Sequence, residues 1–206
     1  MKILLMLSFI FISNTCLAQL KVSELNERSL PKDIKYNGKI VKAVRWADNT
    51  GDHIVVTTET GETASKGSEE DERDASLYAY HYIVRPDSSM LTWKLHDFIK
   101  NCSVDIKANF IKNSFAVTDL DNNGKAEVWL MYKIVCHGDV SPANMKIIMY
   151  EDDKKFAVRG TNMVKVSEHD HVGGEYSFDE AFKKGPEVFR KYAADLWRKN
   201  KLETWD

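Results

Sequence analysis

Between residues 39 and 161 apolar and polar positions alternate in short runs broken by Asp, Asn, Gly and Pro. A period of two, carried by β-branched and aromatic residues, predicts strands, and the breakers predict turns. "KIVKAVRW" (39–46) and "HIVVTTE" (53–59) flank "ADNTGD" and read as one hairpin. Residues 60–76, "TGETASKGSEEDERDAS", have no apolar period and predict an exposed loop. "LYAYHYIVR" (77–85) and "MLTWKL" (90–95) flank "PDSS" and form a second hairpin. Residues 96–113 alternate at their centre as a strand does, with a short helix at 96–101 as the alternative. "SFAVTDLDNNGKAEVWLMYK" (114–133) reads as strand, loop and strand. "MKIIMYE" (145–151) and "FAVRGT" (156–161) close a last hairpin around "DDKK".

The period changes after residue 176. Ser177 and Glu180 have the spacing of a capping box. Gly185-Pro186 breaks a first short helix, and Pro186 suits the first position of a second. Val188, Phe189, Tyr192, Ala193, Leu196 and Trp197 fall on one helical face, which predicts an amphipathic helix over 186–200 packed on the sheet. The fold class is therefore mainly β (α+β): two antiparallel four-stranded meanders followed by a C-terminal helical segment, 177–206. An N-terminal arm, 19–33, precedes a β-rich domain, 34–176.

The two meanders, 38–95 and 110–161, carry a weak repeat. "AVRWADNTGDHIVVTTE" (43–59) aligns without gaps to "AVTDLDNNGKAEVWLMY" (116–132), with six identities in 17 positions. Shared turn chemistry accounts for part of this, because Asn and Gly are what hairpin turns require.

The N-terminus changes the picture of compartment. "MKILLMLSFIFISNTCLA" has a positive start at Lys2, an apolar run from Ile3 to Ile12 and small residues near Ala18, which is the pattern of a signal peptide over 1–18. The run is short for a membrane span of about 20 residues. Acylation of Cys16 is the alternative, but Ser13-Asn14-Thr15 is not a usual lipobox. The chain is expected in the periplasm, at the outer surface or outside the cell, with no transmembrane span after cleavage. Loss of Lys2 takes the formal net charge from −2 to −3, so no basic excess points to nucleic acid or an anionic membrane. Cys102 and Cys136 are the two cysteines left, and an even pair in an exported chain predicts one disulfide.

The acidic loop is the main candidate for chemistry. Calcium takes six to eight hard oxygen ligands. Asp119, Asp121 and Asn123 stand at positions 1, 3 and 5, followed by Gly124, with the Lys125 carbonyl at 7 and Glu127 at 9. Leu130 occupies position 12, where an EF-hand has its bidentate Glu, so this is not an EF-hand. A metal-free structured turn and a catalytic carboxylate pair are the competing readings. "VTDLDNNGKAEVWLMY" resembles the D-x-D-x-[DN]-G-x-x-[DE] loops of FG-GAP and VCBS-type repeats, which implies a loop between two strands around calcium. The first repeat copy departs from that pattern at Trp46, Thr50 and Ile54, so no ion is expected there.

Other sites are weaker. His169 and His171 could share a metal on an extended segment, but the glycines that follow indicate a solvated loop. His53, His81 and His96 lie in strand contexts and read as half-buried packing residues. Trp46, Tyr78, Tyr80, Tyr82, Trp93, Trp129 and Tyr132 could build a sugar-stacking platform, although alternating strand positions more often build a core. There is no G-x-S-x-G, P-loop, G-x-G-x-x-G or H-E-x-x-H motif.

Across most of its length the chain resembles a family of exported Bacteroidota proteins labelled surface polysaccharide biosynthesis proteins. The likeness rests on "KIVKAVRW" with the following "GDHIVV" (39–56), "TDLDNNGKAEVW" (118–129), "DVSP" (139–142) and "KIIMYE" with "FAVRG" (146–160). It implies a role in making or displaying envelope glycan, and glycan or envelope proteins as partners. It carries over no catalytic residue. The expected function is a non-catalytic exported envelope protein that assists surface polysaccharide assembly or binds glycan, with either one calcium or a metal-free structured turn at 119–127. A glycan hydrolase or transferase using a carboxylate pair, and an adhesive or structural module, are the alternatives.

Overall fold

Among the described residues the apolar alternation becomes thirteen strands, most of them in two antiparallel sheets. The computed structural model describes residues 20–67 and 71–203, so the leader expected over 1–18 lies outside the described residues. The first sheet is a meander of β1 (Ser23–Glu24), β2 (Lys39–Asp48), β3 (Gly51–Ala64), β4 (Arg73–Arg85) and β5 (Ser88–Cys102) in that order. The second contains β6 (Ile106–Phe110), β7 (Ala116–Thr118), β8 (Glu127–Cys136), β9 (Asn144–Glu151) and β10 (Lys154–Thr161). A two-stranded ribbon of β11 (Met163–Lys165) and β12 (His171–Gly173) stands apart, and β13 (Tyr176–Phe178) returns to pair with β10. Two helices follow, α1 (Glu180–Lys184) and α2 (Glu187–Asn200). None of the described helices is long and apolar enough to cross a membrane.

Alternate residues of the central strands feed two different cores. Val128, Leu130, Tyr132, Ile148 and Tyr150 face Val44, Trp46, Val55, Leu77, Trp93 and Leu95 of the first sheet. Trp129, Met131, Met145, Ile147 and Met149 face the opposite way, against Phe182, Phe189, Ala193 and Trp197 of the helices. The outer face of the first sheet is closed by the N-terminal arm, whose Leu25, Leu30, Ile34 and Tyr36 pack on Ala43, Ile54, Val56, Tyr80 and Tyr82. The result is four layers: arm, sheet, sheet, helices. Strands buried on both faces read as continuous apolar runs, which is why "VWLMY" and "KIIMY" show little alternation.

The structure differs from the sequence expectation in four places. The first sheet has five strands, because the arm adds β1 beside Val44 and Arg45. The second is not a simple meander: β6 pairs with the end of β8 and β7 with its start. The loop expected over 60–76 is largely strand, with Glu62, Thr63 and Ala64 paired to Ala75, Asp74 and Arg73. A backbone ladder needs no apolar side chains, and an Arg73–Glu62 ion pair of 2.7 Å closes this end. The same extension of β4 gives residues 96–102 a partner, so they form strand and not helix.

The fourth difference is the helix cap. Ser177 lies in β13 opposite Arg159, and Asp179 is the N-cap of α1. The Asp179 carboxylate accepts from Phe182 N at 2.9 Å and from Ala157 N at 2.8 Å, joining the helix to β10. Asp179→Ala should cost about 1–2 kcal/mol, above an ordinary cap because a strand amide is orphaned as well. Urea unfolding of the two proteins measures this, and a difference below about 0.3 kcal/mol would show that water replaces both bonds. Cys102 and Cys136 are disulfide-bonded, with Cα atoms 5.9 Å apart, and tie the end of β5 to the end of β8.

Candidate metal centre

Three carboxylates converge where β7 runs into β8. Ligand oxygens of Asp119, Asp121 and Glu127 lie within 4.8 Å of one another, and this acidic triad could hold a metal ion. Thr118 and Glu127 are register partners, so Glu127 begins β8 directly beneath the loop. The loop turns back through two left-handed residues, Asn122 at φ +57° and Gly124 at φ +80°. The Asn49 side chain also sits close over Gly124: a Cβ there would lie 1.8 Å from Asn49 Nδ2 and would displace that amide.

Glu127 is fully buried. It accepts from Thr118 Oγ1 at 2.5 Å and from Leu120 N at 3.0 Å. Burial raises its pKa to about 7; the Thr118 and Leu120 hydrogen bonds pull it down, and the charges of Asp121 and Asp119 push it up. Asp119 Oδ2 accepts from Gly124 N at 3.1 Å, whereas its buried Oδ1 has no hydrogen-bond partner. Asp121 accepts from the backbone and the amide of Asn123, at 3.2 and 3.1 Å. Among the described residues no cation pairs with any of the three.

The Asn123 amide and the Lys125 side chain also reach the neighbouring hairpin. Asn123 Oδ1 accepts from Lys125 N at 2.8 Å, and its Nδ2 bridges Asp121 to Glu151, 2.8 Å away. The Lys125 ammonium turns outward to Asp152 at 2.6 Å. Sequence spacing missed Thr118 and the Leu120 and Gly124 amides; only the hairpin register, which places Thr118 opposite Glu127, could have revealed the first.

The first repeat copy props up the second. The β2–β3 turn lies against the acidic loop: Asn49 N donates to Gly124 O at 3.0 Å, and Asp48 Oδ2 accepts from Ala126 N at 3.0 Å. Burial opposes ionisation of Asp48, but hydrogen bonds from the Thr50 hydroxyl, Thr50 N and Ala126 N, with the neighbouring His53, bring its pKa down to about 2. Asp48 is joined to His53 Nε2 at 3.0 Å, and His53 Nδ1 to His81 Nε2 at 3.0 Å. Both rings are stacked between Trp46 and Trp93, and Trp93 stacks on Tyr150 at 4.0 Å. Burial, then His53, lower the His81 pKa to about 3, so its ring is neutral. His53 and His81 are thus fully buried hydrogen-bonded residues, more enclosed than their strand contexts indicated.

The remaining candidates separate. His169 and His171 join no group of three or more His, Cys, Asp or Glu among the described residues. Of the seven strand aromatics considered for sugar stacking, six are buried and Tyr78 is half-buried. No protein-family model matches the chain, and neither a curated protein nor a solved structure matches it.

Proposed function

We propose that this is an exported, non-catalytic envelope protein that binds one calcium ion in the 119–127 loop and serves surface polysaccharide assembly by binding glycan. One observation carries the calcium reading: the buried Asp119 Oδ1 has no donor, and it sits in a cluster of three carboxylates with no paired cation. A buried carboxylate oxygen without a partner is costly, and a metal removes that cost. Oxygens sharing one calcium, each at 2.3–2.6 Å from it, are at most about 5 Å apart, which the triad satisfies. The all-oxygen, all-carboxylate set favours a hard cation over zinc or copper. Export is supported by Lys2 and the apolar run that follows, and the glycan role by the family resemblance of residues 39–160.

The triad is a poor catalytic pair. A general acid must reach the substrate proton, and Glu127 has no accessible surface.

Calcium at a hundredfold excess over its dissociation constant should raise stability by about 2.7 kcal/mol over the chelated protein. Thermal unfolding with calcium and with chelator measures this, and Asp119→Asn should abolish the difference. A parent protein whose melting is indifferent to calcium would overturn the ion site.

A further inference from the structure

Both sheets are interrupted on one flank of the molecule, and the two interruptions line the same cleft. β6 pairs with residues 132–136 of β8 and β7 with residues 127–129, so Leu130 and Met131 are left between them. Residues 111–115 arch over this gap. Ile111 N donates to Met131 O at 2.9 Å, Ser114 Oγ donates to Ile111 O at 2.7 Å, and Asn113 is left-handed at φ +59°. In the first sheet β2 carries a bulge: Ile40 lies opposite Thr58 and Lys42 opposite Thr57, which leaves Val41 as the extra residue. A bulge re-aims a side chain, and bulges are over-represented beside functional sites. Val41 leaves 49% of its surface in water. The cleft between gap and bulge has a volume of about 250 Å³.

The lining is apolar with a cationic rim. Val41, Phe110, Ile111 and Phe115 form the walls, and the buried Leu130 and Thr57 close the inner end. Its charged lining residues are Lys42 and Lys112, and among the described residues no Asp or Glu lines it. That bias runs against a chain with 31 acidic and 29 basic residues. Two acids border the cleft, and both are engaged. Glu24 pairs with Lys42, and Glu59 accepts from Asn109 Nδ2 and from Phe110 N, each at 2.7 Å. The Lys42 ammonium is thus neutralised, and it lies 6.0 Å from the Phe115 centroid. The exposed Lys112 ammonium and Asn113 amide have no partner among the described residues. One cation and one amide therefore stand unclaimed at the mouth of an apolar cleft.

We infer that this cleft binds a small aromatic monocarboxylate, its ring held among Val41, Phe110 and Phe115 and its carboxylate on Lys112 and Asn113. The site is independent of the calcium and glycan readings above. An apolar cavity of about 150 Å³ holds benzene, so about 250 Å³ takes one ring with a short acidic arm. Apolar walls with a few polar groups at one end are the usual make-up of a small-molecule site. Charge complementarity selects the anion, because a neutral ring leaves the Lys112 charge unused. Phenyl walls favour a ring over an alkyl chain, since aromatic pairs gain more than the area they bury. The closed inner end admits the end of a ligand and stops a polymer from passing through.

The test is titration of the full exported chain with 3-phenylpropionate, with its neutral amide and with hexanoate. Calorimetry reads affinity, and backbone amide chemical shifts locate the site. The expected result is saturable binding of 3-phenylpropionate, with shifts centred on residues 41–42, 57 and 110–115 and the same affinity in calcium and in chelator. The neutral amide should bind about tenfold more weakly and hexanoate about threefold more weakly. Lys112→Gln should weaken the acid about tenfold and leave the neutral amide unchanged. Val41→Trp, which fills the mouth, should abolish binding. Both positions are exposed, so both variants should keep the parent melting temperature. Equal binding of acid and neutral amide would overturn the carboxylate assignment. Hexanoate binding as tightly as the aromatic acid would overturn the preference for a ring. Acid binding indifferent to Val41→Trp would overturn the cleft as its place. No saturation by any of the three up to about 10 mM would overturn the site altogether.

Discussion

Replacing Trp129 with alanine should destabilise the protein by about 3–5 kcal/mol and lower its melting temperature by about 10 °C. Trp129 is fully buried and touches the helical layer in three directions, with ring centroids 4.6 Å from Tyr192, 6.2 Å from Phe182 and 6.3 Å from Phe189. Its Nε1 also donates to Thr118 Oγ1 at 2.9 Å, and the Thr118 hydroxyl donates to Glu127. One side chain thus joins the helix–sheet core to the acidic loop. Trp129→Phe keeps most of the packing and loses the indole donor, so it should cost less, about 1–2 kcal/mol, and still weaken calcium binding. Urea denaturation with and without calcium separates the two effects. A loss below 1 kcal/mol for Trp129→Ala would mean that the helices are anchored elsewhere.

The second large effect is one of pH. In chelator, the Glu127 contribution to stability, read as the parent minus Glu127→Gln, should fall by about 3 kcal/mol as the pH rises from about 4.5 to about 7. The sign follows from Glu127, whose pKa rises from 4.5 in the open chain to about 7 in the folded protein, burial being the main cause. Between those values the native state holds a proton that the unfolded state has released, so raising the pH drives unfolding. The stabilisation is complete below 4.5 and is lost through about 7. Asp48, held at about 2, acts in the opposite sense and only in more acid solution, whereas buried His81, held at about 3, adds stability as the pH rises to about 6.5 and offsets Glu127 in the parent protein. Calcium should flatten the neutral slope, because it stabilises the ionised carboxylate and releases the proton on binding. Glu127→Gln should keep only the His81 rise without calcium and be more stable than the chelated parent at pH 7.5. A parent protein and Glu127→Gln with the same pH profile between pH 5 and 7 would show that Glu127 is not held in its neutral form.

Much of the architecture was legible because alternation reports burial directly. The hairpins around "ADNTGD", "PDSS" and "DDKK", the apolar face of α2 and the cysteine pair all follow from local pattern. The layering did not, since period two tells that a strand has two faces and not what covers each. The arm illustrates this: Leu25, Leu30 and Ile34 are too sparse to signal a cap, yet they close one face of the first sheet. Residues 60–64 and 73–76 were misread because backbone pairing carries them where side chains do not. Ser177 satisfied the capping spacing but was claimed by strand pairing with Arg159, leaving the cap to Asp179.

The candidate site was half legible. The spacing of Asp119, Asp121 and Glu127 is a local property of one turn, so it can be read from the chain. The fates of Asn123 and Lys125 were set by Glu151 and Asp152, which arrive from the next hairpin. The first copy departs from the loop pattern at Trp46, Thr50 and Ile54, and its use as a buttress depends on how two distant turns meet.

The double burial of β8 and β9 has a consequence for the chain before it folds. "VWLMY" (128–132) and "KIIMY" (146–150) are apolar, β-prone and free of proline, the composition of segments that seed cross-β assembly. In the native sheet each is flanked on both sides, β9 by β8 and β10, and β8 by β9 with β6 and β7 sharing its other edge. The strands left at the margins are of another kind: β5 carries Lys94 and Lys100, and β13 is three residues long. A chain emerging unfolded beyond a membrane would carry two adhesive segments only 13 residues apart, and their mutual pairing is what withdraws them from other chains.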